Sequence, residues 1–140
     1  MILLRNVNFS YNGSRVIKNC SLTLESGETH LIIGPTAAGK TTLARLIACI
    51  QKPTSGRVIC PRGDIKTIQK DMGFLFQFPE DLFFNDTVYD EIAFGARKHR
   101  EKNIDLRVRE IIKTVGLEED ILQKSPFEIS EGEKRLVAYA

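Results

Sequence analysis

Residues 29–50 read THLIIGPTAAGKTTLARLIACI. Within them, Gly34 to Thr41 fit the phosphate-binding spacing of a glycine, four residues, then Gly-Lys-Thr. The apolar run Thr29–Ile33 ahead of the glycine reads as a buried strand. Leu43, Leu46, Ile47 and Ile50 behind it recur at the spacing of a helix stripe. A phosphate loop needs a strand before it and a helix after it. The residue types suit the chemistry. Gly34 and Gly39 let the backbone bend sharply, and the loop amides and the helix dipole face an anion together. Lys40 supplies a point charge for phosphate oxygens, and the Thr41 hydroxyl is a hard oxygen ligand for Mg²⁺. These features imply binding of a nucleoside triphosphate. The plain alternative is a glycine-bounded turn carrying a surface lysine.

Outward from the loop, the chain has 140 residues and a net charge of +2 with both signs interleaved. That length suits one modest domain. The charge pattern offers no footprint for nucleic acid or for an anionic membrane surface. The apolar runs are too short to span a bilayer, and the start of the chain lacks the layout of a signal peptide. Cys20, Cys49 and Cys60 are widely spaced, with no Cys-x-x-Cys pair. They read as small reduced core residues, not as a zinc site or a disulfide framework.

Ile2–Ser10 and Val16–Leu24 read as two strands joined by the turn signal Tyr11–Ser14. Leu4, Asn6 and Asn8 alternate only imperfectly with Leu3, Arg5, Val7 and Phe9. Lys52–Gly56 breaks the pattern after the first helix. Arg57–Cys60 is expected to be a short strand, Pro61–Gly63 a turn, and Gly73–Phe76 a strand ending at Gln77. From Thr87 the period becomes helical: Val88, Ile92 and Ala93 mark one helix. Ile104, Val108, Ile111, Ile112 and Val115 mark another, ended by Gly116. Ser130–Glu133 is a capping box ahead of a last helical segment. His30 and His99 have no nearby partners and read as structural or exposed residues. Arg97–Lys102 reads as a solvated charged face. This order of elements argues for an α/β core with an added helical region.

Six segments stand in order along the chain: Phe9-Ser10-Tyr11, Ser26-Gly27-Glu28, Gly34–Thr42, Lys52–Gly56, Phe76-Gln77, and Phe127–Glu133. Together they resemble the ATP-binding subunits of ABC transporters, over the whole chain. Phe76–Asp81, Thr87-Val88 and Glu91–Gly95 further resemble the ATPases of energy-coupling-factor importers of vitamins, cobalt or nickel. The resemblance implies a P-loop NTPase core with an N-terminal antiparallel β subdomain and a helical subdomain. The corresponding divisions are 1–78, 79–130 and 131–140, with the chain stopping before the Walker B strand. It implies ATP and Mg²⁺ as ligands. Tyr11 would stack on adenine, and Gly34, Pro35, Thr36, Ala37, Ala38, Gly39, Lys40, Thr41 and Thr42 would form the Walker A loop. Thr41 and Gln77 would ligate Mg²⁺, with Lys40 and Gln77 serving catalysis. Ser130, Glu131, Gly132 and Glu133 would complete the ATP site of a second subunit.

The implied partners are a second ATPase subunit and membrane-embedded transporter subunits contacted by residues 78–94. The implied location is the cytoplasmic face of the membrane. Two departures from the family pattern matter. Ala37 and Ala38 stand where a glycine or serine is usual, which would weaken binding if a position there needs positive φ. Glu131 and Glu133 replace glycine and glutamine of the signature, and carboxylates repel a γ-phosphate unless paired. That favours a heterodimer with a weak or degenerate site. Without a Walker B aspartate or a catalytic glutamate, these residues by themselves are expected to hydrolyse ATP poorly. The other readings are a non-hydrolytic ATP-binding partner, or a P-loop small-molecule kinase.

Overall fold

The computed structural model describes residues 1–60 and 72–140, which form two compact units, 1–74 and 75–140. In the first unit, β1 (Ile2–Tyr11) and β2 (Ser14–Leu24) pair antiparallel. Asn12 and Gly13 both take positive φ between them, the turn that matches the twist of a two-residue hairpin. Helix α1 (Lys40–Ile47) follows the phosphate loop. Strand β3 (Ser55–Ile59) then pairs antiparallel with the other edge of β1, giving the order β2-β1-β3.

The broken alternation of β1 has a structural cause. Leu4, Val7 and Phe9 are all buried, although Leu4 and Val7 are three residues apart and a regular strand turns only every second residue inward. A bulge lies between them, with Asn6 at φ 49. Asparagine tolerates that left-handed conformation better than most residues. Its backbone N–H donates to Ser21 Oγ at 3.0 Å, and Ser21 Oγ donates to Asn6 Oδ1 at 3.1 Å. Strand β2 has its own irregularity, with Asn19 at φ 43. The Asn19 N–H donates to Asn8 Oδ1 at 2.9 Å, while Asn8 Nδ2 donates to the Asn6 carbonyl at 3.0 Å and to Ser55 Oγ at 3.1 Å. The asparagines that spoil the pattern are the residues that hold the bulges. The core of this unit joins Leu4, Val7, Phe9 and Ile17 to Leu46 of α1.

Two expected strands are absent. Residues 29–33 and 73–76 belong to no strand, and Leu31 and Ile33 are 83% and 80% exposed. An apolar run becomes a strand only where another strand offers its edge. Every described ladder runs through β1, and neither run joins it. The turn expected at 61–63 lies outside the described residues. Cys20, Cys49 and Cys60 are not joined in disulfides. Burial raises the pKa of the Cys49 and Cys60 thiols.

The second unit is helical: α2 (Val88–Lys98), α3 (Ile104–Thr114) and α4 (Glu131–Tyr139), with single 3₁₀ turns at Pro79–Leu82 and Glu119–Gln123. Thr87 caps α2 by accepting from the Asp90 N–H at 3.1 Å. At the end of α3, the Gly116 and Leu117 N–H groups donate back to the Lys113 and Ile112 carbonyls, a Schellman closure. Val88, Ile92, Val108, Ile112, Ile121 and Val137 form the centre of its core. The charged run 97–102 is exposed as expected, although Arg97 also pairs with Asp90 at 2.8 Å.

Four carboxylates of this unit have lowered pKa values: Asp90 through Thr87 and Arg97, Glu119 through Lys113 and Arg109, Asp120 through Lys124, and Glu133 through Ser130. A carboxylate with a lower folded than unfolded pKa contributes stability above the unfolded value and loses it as pH falls through the folded one. Thermal melts of this unit, followed by circular dichroism, are therefore expected to fall progressively below about pH 4.5, the usual glutamate value. High salt should shrink the part that comes from the exposed pairs.

Candidate functional site

The phosphate loop folds against β2. Gly39, the residue before α1, has φ 91. A Cβ there would meet Val16 Cγ1 at 3.0 Å and Ile17 Cδ1 at 3.1 Å, so both its conformation and the space around it call for glycine. The Ala38 N–H closes the loop on the Pro35 carbonyl at 3.3 Å. Lys40 Nζ donates to the carbonyls of Gly34 at 2.9 Å and Pro35 at 2.7 Å. The ammonium thus stays at the loop, on oxygen acceptors that a phosphate could replace.

Helix α1 begins with no side-chain cap and no acidic residue in its first turn. Its leading N–H groups have no partners within the helix, and they present positive potential beside the lysine. A cavity of about 270 Å³ opens there, lined by Tyr11, Val16, Ala37, Gly39, Lys40, Thr41 and Thr42. Thr42 is buried and Thr41 exposed. A cationic, amide-rich hollow with a free threonine hydroxyl at its rim fits a polyphosphate with its Mg²⁺. The described residues hold no cluster of three or more His, Cys, Asp or Glu side chains able to bind a metal alone. A Mg²⁺ here would share its ligands with phosphate, as that ion commonly does.

Tyr11 lies at the end of β1, on the wall of the same cavity. Its ring meets Phe9 edge to face at 4.7 Å and 81°. Its hydroxyl donates to Gln51 Oε1 at 2.9 Å. Thr42 first, with the Arg45 cation, holds its pKa below the usual phenol value. Thr36 and Ala38 are exposed on the loop. His30 accepts a bond from the Glu25 N–H at 3.1 Å, a structural role. Sequence reading missed Gln51 and Val16, whose contacts with Tyr11 and Gly39 span long stretches of chain.

Ala37 has φ 63, so the loop does place a left-handed turn where this chain has alanine. That conformation costs a non-glycine residue roughly 1 kcal/mol. Ala37→Gly is expected to tighten ATP binding about two- to fivefold by relieving that strain, measured by calorimetry. An unchanged affinity would mean that the loop carries the same strain with and without ligand.

Gln77 and the stretch 130–133 belong to the helical unit. Gln77 is exposed. The capping box of α4 is complete: Ser130 Oγ accepts from the Glu133 N–H at 3.3 Å, and Glu133 Oε2 accepts from the Ser130 N–H at 2.7 Å. Glu131 pairs with Lys134 at 2.8 Å. A side chain added at Gly132 would meet nothing within 4 Å. Both signature carboxylates therefore have partners inside their own helix.

The loop, its helix and the flanking antiparallel sheet define a P-loop NTPase type of α/β protein. The family model described as ABC transporter matches residues 17–140, and the chain belongs to that family. Among curated proteins, it is 45% identical to the energy-coupling factor transporter ATP-binding protein EcfA2 of Acetivibrio thermocellus, over 90% of this chain and 47% of the relative. It is 38% identical to the protein of the same name from Clostridium acetobutylicum, over 99% of this chain and 54% of the relative. The chain thus spans about half the length of these relatives.

Among solved structures, it resembles cbiO1 of Clostridium perfringens, part of the ABC transporter complex cbiONQ. That match has a TM-score of 0.83 and 28% identity, over 99% of this chain and 59% of the other. An ATP-binding cassette solved as a dimer bound to ADP and phosphate matches with a TM-score of 0.86 and 29% identity, over 99% of this chain and 67% of the other. No helix among the described residues is long and apolar enough to cross a membrane.

Proposed function

We propose that this chain supplies the ATP-binding loop and the signature segment of an ATPase subunit that drives import of a small solute, a vitamin or a metal ion. The observation that carries this reading is the hollow at the start of α1, where Lys40, unpaired helix amides and the Thr41 hydroxyl converge beside the Tyr11 ring. Lys40 would exchange the Gly34 and Pro35 carbonyls for phosphate oxygens. The backbone from Gly34 to Thr42 would surround the phosphates. Tyr11 would stack on the adenine, a contact worth about 1–3 kcal/mol by analogy with other aromatic–base pairs. Bound Mg²⁺ would neutralise phosphate charge, with the Thr41 hydroxyl as its ligand in this loop. Ser130 and Gly132 would face the nucleotide of a second ATPase subunit, so that ATP closes the dimer. Residues 78–94 would meet membrane-embedded subunits, at the cytoplasmic face of the membrane. Phe78, Leu82, Phe84 and Phe94 are exposed there, and apolar surface of that kind suits a protein partner.

Calorimetry of the protein with Mg-ATP, together with sedimentation with and without the nucleotide, tests this reading. Binding at micromolar to millimolar ATP and nucleotide-dependent dimerisation are expected. No heat at millimolar ATP would overturn it.

A second reading, a degenerate site within a heterodimer, gains support from one contact. The Glu133 carboxylate occupies the Ser130 N–H, a donor at the helix start that an incoming γ-phosphate would seek. Under this reading, Glu133→Gln keeps an acceptor for the capping box and removes a repelling charge. It is expected to strengthen ATP-dependent dimerisation severalfold in sedimentation. No change would remove the support for a weakened site.

A further inference from the structure

We propose that Gln51 is a positioning residue that holds the Tyr11 ring in place for a nucleotide base. The inference rests on the ATP-binding reading above and adds a residue to it. Tyr11 stands at the end of β1, beside the hairpin turn, and is 40% exposed. A tyrosine there has open solvent into which its ring can swing. Besides the Thr42 and Arg45 side chains at its hydroxyl, two contacts oppose that motion. The edge of Phe9 fixes one side of the ring, and the Gln51 amide oxygen accepts from its hydroxyl at 2.9 Å. Gln51 is itself held. Its N–H donates to the Arg45 carbonyl at 3.2 Å, and the preceding Ile50 N–H donates to the same oxygen at 3.0 Å. Cys49, at φ 55, turns the chain back to allow this.

Helix α1 therefore acts at both ends of one site. Its first residues shape the phosphate loop, and the turn after its last residue carries the amide that reaches Tyr11. The distance from the phosphate hollow to the base platform is set by one short rigid element. An aromatic platform already oriented loses less side-chain freedom when a ligand stacks on it. The hydrogen bond that orients it is expected to be worth about three- to tenfold in affinity.

The test compares Mg-ATP with Mg-tripolyphosphate, which has no base, by calorimetry on the wild-type protein, Gln51→Leu, Tyr11→Phe and the double variant. Gln51→Leu removes the acceptor. Tyr11→Phe removes the donor and keeps the ring. Each single change is expected to weaken ATP binding about three- to tenfold and to leave tripolyphosphate binding unchanged. The double variant should lose no more than Tyr11→Phe, which removes the Thr42 contact as well. The inference is overturned by unchanged ATP affinity in Gln51→Leu, by an equal loss for both ligands, or by additive losses. Wild-type protein that binds neither ligand would overturn the ATP-binding reading itself. Wild-type binding of both ligands with an indifferent Gln51→Leu would overturn this inference alone.

Discussion

Lys40→Ala is expected to weaken Mg-ATP binding by roughly ten- to hundredfold. A hydrogen bond to a charged partner is worth about 1.5–3 kcal/mol, and each 1.4 kcal/mol is a factor of ten. The lysine is the charged side chain lining the hollow; the rest of the attraction comes from amide dipoles and the start of α1, which the substitution leaves in place. Binding should therefore weaken without vanishing. The free protein should change little. The Lys40 bonds to the Gly34 and Pro35 carbonyls lie at an exposed site, and surface substitutions usually stay within about 0.5 kcal/mol. Calorimetry gives the affinity and a thermal melt gives the control. An affinity within twofold of wild type, in a protein that still melts normally, would remove Lys40 from the nucleotide site. A large drop in melting temperature would instead mean that the ammonium mainly braces the loop.

Gly56→Ala should be among the most destabilising substitutions in the β unit. Gly56 has φ 84 at the start of β3, and a Cβ there would lie 2.3 Å from the Asn6 carbonyl oxygen and 2.6 Å from that of Arg5. Those atoms are main chain, so no side-chain rotation can clear them. The left-handed conformation costs alanine about 1–2 kcal/mol, and forcing atoms into filled space costs about 1–3 kcal/mol. A total of about 2–5 kcal/mol is a large share of the 5–15 kcal/mol typical of a domain. Urea unfolding followed by circular dichroism would show it as a lower midpoint at unchanged slope. Gly95→Ala is the control: an added Cβ there meets nothing within 4 Å, and alanine favours the α2 helix in which it sits. A cost at Gly56 below about 0.5 kcal/mol would mean that β3 moves off β1 without penalty.

Local signals carried most of the elements. The hairpin, α1, β3 and the three helices of the second unit stand where turn residues and apolar spacing put them, because each is specified by neighbours in sequence. The phosphate loop was equally legible, since its chemistry is compressed into eight residues from Gly34 to Thr41. What failed was non-local. Leu31 and Ile33 look like a buried strand by composition, but burial depends on a partner strand that no local window contains. The bulges at Asn6 and Asn19 were visible only as noise in the alternation, because their meaning lies in Ser21, Asn8 and Ser55 across the sheet. Gln51 gave no signal, being forty residues from the tyrosine it touches. The carboxylates of Glu131 and Glu133 were recognised as unusual. Their pairing with Lys134 and the Ser130 amide is local to the helix, but only geometry shows which way they turn.

The two asparagine bulges lie on opposite strands of one hairpin, and each inserts one residue. Leu4 faces Leu22 before them, and Phe9 faces Ile17 after them; the slip introduced on β1 is cancelled by the slip on β2. Val7 faces Cys20 between them, and a third slip, on β2 between Ile17 and Arg15, sets Ser10 opposite Arg15 and Tyr11 opposite Ser14 ahead of the turn. Excising Asn6 alone would leave every later pair of the hairpin misaligned by one position, with the turn inheriting the error. Excising both would keep Phe9 opposite Ile17 and leave the slip next to the turn in place. Between Leu4 and Phe9, a length change on one strand therefore calls for a matching change on the other.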